Sequence, residues 1–245
     1  MPEEWYDKAR FYRRFCFRFG DCDQNKTASL FAIMKLFSEM AGEDYEGRGL
    51  GHTVLWEHGQ AFLLSRMSLR FHRTPRYGER TVAVTWERFA KGVFFYRDYE
   101  IRSESGELLV SGTSLWFIVN PLSREVLRPD MLMGGVLTGD PSAAECAPCK
   151  KVRRNDSLPL LGLREICFSD IDANGHVNNA VYGKIADDFL PDEYRRLGVK
   201  DIFIEFKSET VQGDTLEIKG APTENGFSVQ GISGEKYGFG VEFGF

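Results

Sequence analysis

Asp170 to Asn179 read Asp-Ile-Asp-Ala-Asn-Gly-His-Val-Asn-Asn, which gathers acid, amide and imidazole groups into one short stretch. His176 is the one histidine in the C-terminal half of the chain. These are the side-chain types that orient a water, move a proton or donate to a developing oxyanion. The residues before them, Arg164-Glu165-Ile166-Cys167-Phe168, predict a short strand. Those after them predict a helix from Ala180 to Leu190, with Val181, Ile185 and Phe189 at helical spacing. A strand-to-helix junction exposes N–H groups at the helix start, where an anion or oxyanion is favoured. Asp172 and Asn174 are equally good turn formers and Asn178 an equally good helix N-cap, so residue types alone leave chemistry and capping both open.

The elements around this junction occur twice. In the first pass Arg14 to Phe19 alternates as a half-buried strand, and Asp21 to Thr27 forms a polar junction. A helix follows from Ala28 to about Gly42, with Leu30, Phe31, Ile33, Met34, Phe37 and Met40 on one stripe and Gly42 as its stop. Gly47 to Gly59 reads as a loop or short helix. From Arg66 the pattern is strand: Met67, Leu69 and Phe71 alternate, a turn at Pro75 to Gly78 leads to residues 81–86, and residues 94–103 and 108–120 flank a hairpin turn at 104–107. Residues 121–163 lack strong periodicity and collect Pro, Gly, Ser and two cysteines, which predicts a linker. The second pass runs strand 164–168, helix 178–190, then strands at 201–207, 215–220, 227–232 and 237–243. We read a duplication, with halves at 1–120 and 164–245.

Laying one half on the other places Asp21, Asp23 and Asn25 on Asp170, Asp172 and Asn174 at a single offset of 149 (170 − 21, 172 − 23, 174 − 25), with Thr27 facing His176. Downstream, Phe71 to Glu79 falls on Phe206 to Asp214 at an offset of 135 (206 − 71, 214 − 79), with Thr74 facing Glu209. The first copy therefore lacks both the imidazole and the glutamate, and chemistry is expected in the second copy alone. A helix laid on an antiparallel meander, twice over, is an α+β tandem (double) hotdog.

Composition narrows the remaining choices. With 42% hydrophobic and 27% charged residues in 245, the chain has a soluble globular balance and room for one large domain or two ordinary ones. A net charge of −5 disfavours nucleic acid as a partner. The opening Met-Pro-Glu-Glu-Trp lacks a basic and apolar leader, and no apolar run approaches a membrane span, so a cytoplasmic location is expected. Five cysteines in no framework spacing suit reduced thiols, and Cys146-Ala-Pro-Cys149, without a second pair or a nearby histidine, reads as a loop with incidental thiols. No metal and no cofactor are expected. His52, His58 and His72 read as surface or loop residues and receive no role.

Asp172-Ala173-Asn174-Gly175-His176-Val177-Asn178-Asn179, followed by Ile204-Glu205-Phe206-Lys207-Ser208-Glu209, resembles the acyl-acyl-carrier-protein thioesterases, double-hotdog enzymes that release fatty acids. In the first half, Asn25-Lys26-Thr27-Ala28-Ser29 and the stretch at 106–117 also look like that family, so the likeness spans nearly the whole chain. The resemblance implies a catalytic network of Asp172, Asn174, His176 and Glu209. Plant members often carry Cys directly after the glutamate, and Thr210 stands there in this chain, which excludes a cysteine nucleophile at that position. Water is then the expected nucleophile with Glu209 as general base, and direct attack by the carboxylate is the alternative. His176 would orient the water or pass protons, Asn174 would fix the geometry, and Asp172 would hold His176 or cap the turn. N–H groups of Val177 to Asn179 would face the oxyanion, with Asn178 and Asn179 near the substrate.

The resemblance further implies an acyl tunnel in the first half. Trp56, Phe62, Phe94 and Trp116 are candidates to line it, although such aromatics are equally core material. The implied partner is acyl carrier protein bearing acyl-phosphopantetheine. Being acidic, it calls for a basic docking patch, for which the linker cluster Lys150, Lys151, Arg153 and Arg154 is the candidate. An acyl-CoA thioesterase and a non-catalytic acyl-binding hotdog module are the competing readings, and the absence of His-Phe-Pro-Gly argues against a hotdog dehydratase. A double hotdog already contains a dimer-like pair, and a homodimer of such chains stays open.

Overall fold

The computed structural model describes residues 3–135 and 139–245. The first half begins with a hairpin, β1 (Glu4–Asp7) and β2 (Arg10–Cys16), then α1 (Leu30–Gly47), α2 (His52–Glu57) and four long strands. These are β3 (Ala61–Phe71), β4 (Arg80–Lys91), β5 (Phe94–Ser103) and β6 (Leu108–Val119), followed by the two-residue β7 (Val126–Leu127). The second half holds β8 (Leu160–Glu165), α3 (Asn179–Asp188), α4 (Asp192–Arg195), β9 (Asp201–Phe206), β10 (Thr215–Thr223), β11 (Gly226–Ser233) and β12 (Lys236–Gly244).

All strands join one antiparallel sheet in the order β1-β2-β4-β5-β6-β3-β9-β12-β11-β10-β8, with β7 on β6. The halves meet where β3 pairs β9, from Arg66↔Glu205 to Arg70↔Asp201. Arg66–Glu205 at 3.3 Å and Arg70–Asp201 at 2.8 Å are ion pairs across that seam. Ser29 caps α1 by accepting the Ala32 N–H, and the buried stripe of α1 includes Ile33, Met34, Phe37 and Met40. Helix α3 approaches α1 at Gly183, where a Cβ would stand 2.4 Å from Met34 Sδ. One hydrophobic core therefore runs through both halves, from Phe37 and Tyr99 to Tyr182 and Phe239.

The linker is a strap laid across the outer face of the sheet. Tyr99 stacks on Phe37 of α1, so Asp98 points the other way, and there it accepts the Ala144 N–H at 2.7 Å. Further contacts follow the strap from strand to strand. Trp86 Nε1 donates to the Ser142 carbonyl at 2.8 Å, Cys149 Sγ to the Thr113 carbonyl at 3.3 Å, Tyr237 OH to the Val152 carbonyl at 2.8 Å, and the Asn155 N–H to Gln230 Oε1 at 3.1 Å. Most of these bonds use side chains of the strands and not a ladder of the strap's own, which is why its sequence carries no period. Burial under it pushes the thiols of Cys146 and Cys149 up to about 12.

Several boundaries differ from the sequence reading. The first strand ends at Cys16, because Phe19 turns out into a short 3-10 turn and is 84% exposed. Helix α1 runs through Gly42, where a single Gly costs only about 1 kcal/mol, and ends before Gly49, whose φ of 74° makes the left-handed exit. Strand β8 starts four residues earlier than the expected 164, and β1, β7 and α4 are too short to register as patterns.

Candidate active site

The junction at Asp170 to Asn179 is a closed turn. Asp172 Oδ1 accepts the Asn174 N–H at 2.8 Å, its carbonyl accepts the Gly175 N–H at 3.0 Å, and its own N–H donates to the His176 carbonyl at 2.9 Å. Gly175 takes φ 79°, a left-handed conformation that strains most other residues. The Val177 N–H then donates to the Thr210 carbonyl at 2.9 Å, which ties the turn to the segment after β9. That tether brings Glu209 beside His176, with Nε2 3.2 Å from Oε2.

The first copy repeats this frame bond for bond. Asp23 Oδ1 accepts the Asn25 N–H at 2.9 Å, the Asp23 N–H donates to the Thr27 carbonyl at 2.8 Å, and the Ala28 N–H donates to the Pro75 carbonyl at 2.8 Å. These pairs reproduce the offsets read from the sequence, since 28 + 149 = 177 and 75 + 135 = 210. The difference is in the side chains. Thr27 Oγ1 folds back onto both oxygens of Asp23, at 3.1 and 3.0 Å, whereas His176 reaches out to Glu209.

The geometry assigns the remaining predicted residues unevenly. Asp172 is engaged with its own turn, and among the described residues no contact joins its carboxylate to the His176 ring, so of its two expected roles it fills the structural one. The N–H groups of Val177 and Asn178 are spent on the carbonyls of Thr210 and Asp170, which corrects the expectation that they face an oxyanion; Asn179 N–H is the one of the three not committed in this way. Asn178 caps α3 by accepting the Ala180 N–H at 2.9 Å and lies off the cleft that Asn179 lines. Thr210 is 2% exposed, packed in the interior beside Tyr182, whose hydroxyl burial holds above the usual phenol range.

Two contacts reach this site from outside the second half, one from the residues after β6 and one from α2. Arg124, in the turn after β6 at φ 63°, donates through Nη1 to Glu209 Oε1 at 2.8 Å and through Nη2 to Oε2. A non-glycine residue held left-handed costs roughly 1–2 kcal/mol, and such outliers gather at functional sites. His52, on α2, places Nε2 3.0 Å from Asn174 Oδ1. Neither residue has a role in the sequence reading, because nothing in the linear order of the chain places α2 or the β6 turn beside the second junction. His72 bonds Ser111 Oγ at 3.1 Å and His58 the Val54 carbonyl at 2.8 Å, which leaves both outside the site.

A cleft of about 820 Å³ is lined by His176, Glu209, Asn174 and Arg124. Apolar residues of the first half line it too, among them Leu50, Leu55, Phe62, Leu64 and Trp116, with Trp56 half exposed near His52. Tyr45 also lines it, stacked on Phe62 at 4.6 Å, and donates its hydroxyl to Glu87 at 2.7 Å. Burial raises the Glu87 carboxyl. Phe94 lies off the cleft, packed near Phe117 and Arg66. Among the described residues no group of three or more His, Cys, Asp and Glu side chains is placed to hold a metal ion. No helix among them is long and apolar enough to cross a membrane. In the linker cluster, Lys150 pairs with Glu242 at 2.5 Å and Arg154 with Asp156 at 2.6 Å, while Lys151 and Arg153 have no ion-pair partner among the described residues.

The family model for the acyl-ACP thioesterase N-terminal domain matches residues 8–130, and that for the acyl-ACP thioesterase C-terminal domain matches residues 163–238. A palmitoyl-acyl carrier protein thioesterase of Gossypium hirsutum is 28% identical over 194 residues, covering 72% of this chain and 46% of the relative. A dodecanoyl-[acyl-carrier-protein] hydrolase of Umbellularia californica is 24% identical over 234 residues, covering 88% and 61%. The chain thus spans about half the length of the curated relatives it matches. Among solved structures, an acyl-ACP thioesterase from Bacteroides thetaiotaomicron superposes with a TM-score of 0.86 at 22% identity, over 97% of this chain and 98% of that one. The 12:0-ACP thioesterase from Umbellularia californica gives 0.83 at 19% identity, over 98% of each. These likenesses establish the fold.

Proposed function

The chain belongs to the acyl-ACP thioesterase family, and from that premise we propose that it hydrolyses the thioester of an acyl-[acyl-carrier protein], releasing a free fatty acid in fatty acid biosynthesis. The observation that carries this reading is the His176–Glu209 pair at 3.2 Å on a cleft that Leu50, Leu55, Phe62, Leu64 and Trp116 also line. A thioester needs a nucleophile, a stabilised oxyanion and little help for its leaving thiolate. A carboxylate accepts about four hydrogen bonds. Arg124 donates to both oxygens of Glu209 and His176 Nε2 stands 3.2 Å from Oε2, so Oε1 keeps an acceptor position for a water.

In this scheme Glu209 takes the proton as the water oxygen bonds to the acyl carbon. The tetrahedral intermediate then collapses, the C–S bond breaks, and the thiolate leaves and is reprotonated from Glu209 through His176. Asn174 offers its amide donors to the oxyanion, helped by the Asn179 N–H at the start of α3. Asp172 supports the turn that carries both Asn174 and His176. The N-terminal hotdog receives the acyl chain against Phe62, Leu64 and Trp116, and the C-terminal hotdog carries the chemistry. For the carrier protein, Lys151 and Arg153 are the linker cations available to its acidic surface.

Incubating the purified protein with matched acyl-carrier protein and acyl-CoA tests the reading. Release of free acid and free thiol, faster from the carrier-bound substrate, is the expected result. Preference for CoA would make it an acyl-CoA thioesterase, and saturable acyl binding without thiol release would make it an acyl-binding module.

A further inference from the structure

Asn25 and Asn174 hold the same position in the two copies (174 − 25 = 149), and their backbones are fixed in the same way. Their side chains are not. Among the described residues Asn25 makes no side-chain hydrogen bond, whereas Asn174 Oδ1 lies 3.0 Å from His52 Nε2. The amide is thus gripped only in the copy that also carries the imidazole and the glutamate, and the grip comes from the other half of the chain.

The element that presents His52 is braced. Within α2, Leu55 is 4% exposed, and the His52 ring stacks on Trp56 at 5.8 Å with 25° between planes. Gln60, just beyond α2, donates to the Met131 carbonyl at 2.6 Å and accepts the Met133 N–H at 2.9 Å. Asn174, by contrast, sits exposed in its turn, and this is the one side-chain hydrogen bond it makes among the described residues. A carboxamide is planar, with its acceptor and its two donors at opposite ends. Occupying Oδ1 therefore decides where the Nδ2 donors point. An exposed amide without such a partner loses rotamer freedom only when substrate arrives, and that ordering cost falls on the reaction.

We propose that His52 is a positioning residue for thioester hydrolysis: its Nε2–H donates to Asn174 Oδ1 and turns the Nδ2 donors toward the carbonyl under attack. This rests on the thioesterase reading above. Because misplacing a reacting group by an ångström costs on the order of 10²-fold, a donor that is correctly placed only part of the time lowers turnover by roughly 10-fold. It leaves binding of the acyl chain alone.

The test is a set of variants, His52→Ala, His52→Gln, Asn174→Ala and the Ala/Ala double, assayed for kcat and KM separately on acyl-carrier protein. His52→Ala should lower kcat by roughly 10-fold with KM within about 2-fold, and melting should be unchanged because the ring is exposed. His52→Gln, whose amide can donate to the same oxygen, should recover most of the rate. Added to Asn174→Ala, the His52 change should cost less than about 2-fold more, since the coupled partner is already gone. A wild-type kcat in His52→Ala, a loss confined to KM, or losses that multiply in the double variant would each overturn the proposal. An inactive wild type on both carrier-bound and CoA substrates overturns the thioesterase reading and this proposal together, whereas an active wild type indifferent to His52→Ala overturns this proposal alone.

Discussion

Glu209→Gln separates chemistry from scaffolding at the proposed active site. The carboxylate receives two hydrogen bonds from Arg124, His176 Nε2 stands 3.2 Å from its Oε2, and its side chain is 36% exposed. Glutamine keeps the shape but only one acceptor oxygen, so one of the two partners meets an N–H instead. Half-exposed ion pairs are worth at most about 1 kcal/mol, which in a chain of this size lowers the melting temperature by about 2–4 °C. Loss of a general base costs roughly 10²- to 10⁴-fold in rate, or about 2.7–5.5 kcal/mol at 1.36 kcal/mol per decade. The activity loss should therefore exceed the stability loss severalfold. Free acid released from an acyl-carrier protein, quantified by mass spectrometry under single-turnover conditions, reads the first; a urea melt reads the second. Turnover within tenfold of wild type would refute the base assignment, and a collapse of the melt would make Glu209 structural. In the same single-turnover reaction in ¹⁸O-water, label in the Glu209 side chain would establish carboxylate attack, with the resulting anhydride opened by water at the glutamyl carbonyl.

Arg124→Ala should lower kcat by roughly 10-fold while changing stability by less than about 1 kcal/mol, since it frees Glu209 from its orienting partner at the surface; equal catalytic and stability losses in thermal and kinetic assays would argue against that role. Gly183→Leu should destabilise the fold by about 1–3 kcal/mol in a urea titration, because its first carbon already meets Met34 Sδ at 2.4 Å across the α1–α3 contact. The thiols of Cys146 and Cys149, pushed up to about 12, should resist alkylation at pH 8. A raised thiol pKa means less thiolate at any lower pH, about one part in 10⁴ at pH 8, so peptide mapping should find rapid labelling at the exposed Cys167 and labelling of the strap cysteines only after unfolding.

The duplication was legible because its signals are local. Helical stripes, period-two strands and turn residues recur in the same order, and the offsets of 149 and 135 reappear as hydrogen bonds between identical backbone positions. Glu209 was reachable only by comparison with the silent copy and with the family motif, since thirty-odd residues of helix and strand separate it from His176. His52 and Arg124 were out of reach for a different reason. Each lies in irregular or short structure, α2 and the turn after β6, and each acquires meaning from the seam where β3 meets β9. The strap carries no periodic trace of its own because its hydrogen-bond partners lie on five different strands.

The silent half is then better understood as a completed template than as a spent one. Both junctions are built by the same Asp-centred turn and the same tether to the strand that follows, so the turn is a stable local solution that needs no substrate to hold it. What distinguishes the second junction is a set of substitutions on that stable frame: imidazole for a hydroxyl that otherwise folds back on its aspartate, and a carboxylate for Thr74. With its own junction carrying neither group, the first half presents α2 and the β6 turn to its neighbour, where His52 meets Asn174 and Arg124 meets Glu209. Those contacts cross between the halves, so the site depends on the β3–β9 seam and on the α1–α3 packing behind it. A variant that loosens that packing, such as Gly183→Leu, should therefore lower turnover before it unfolds the chain.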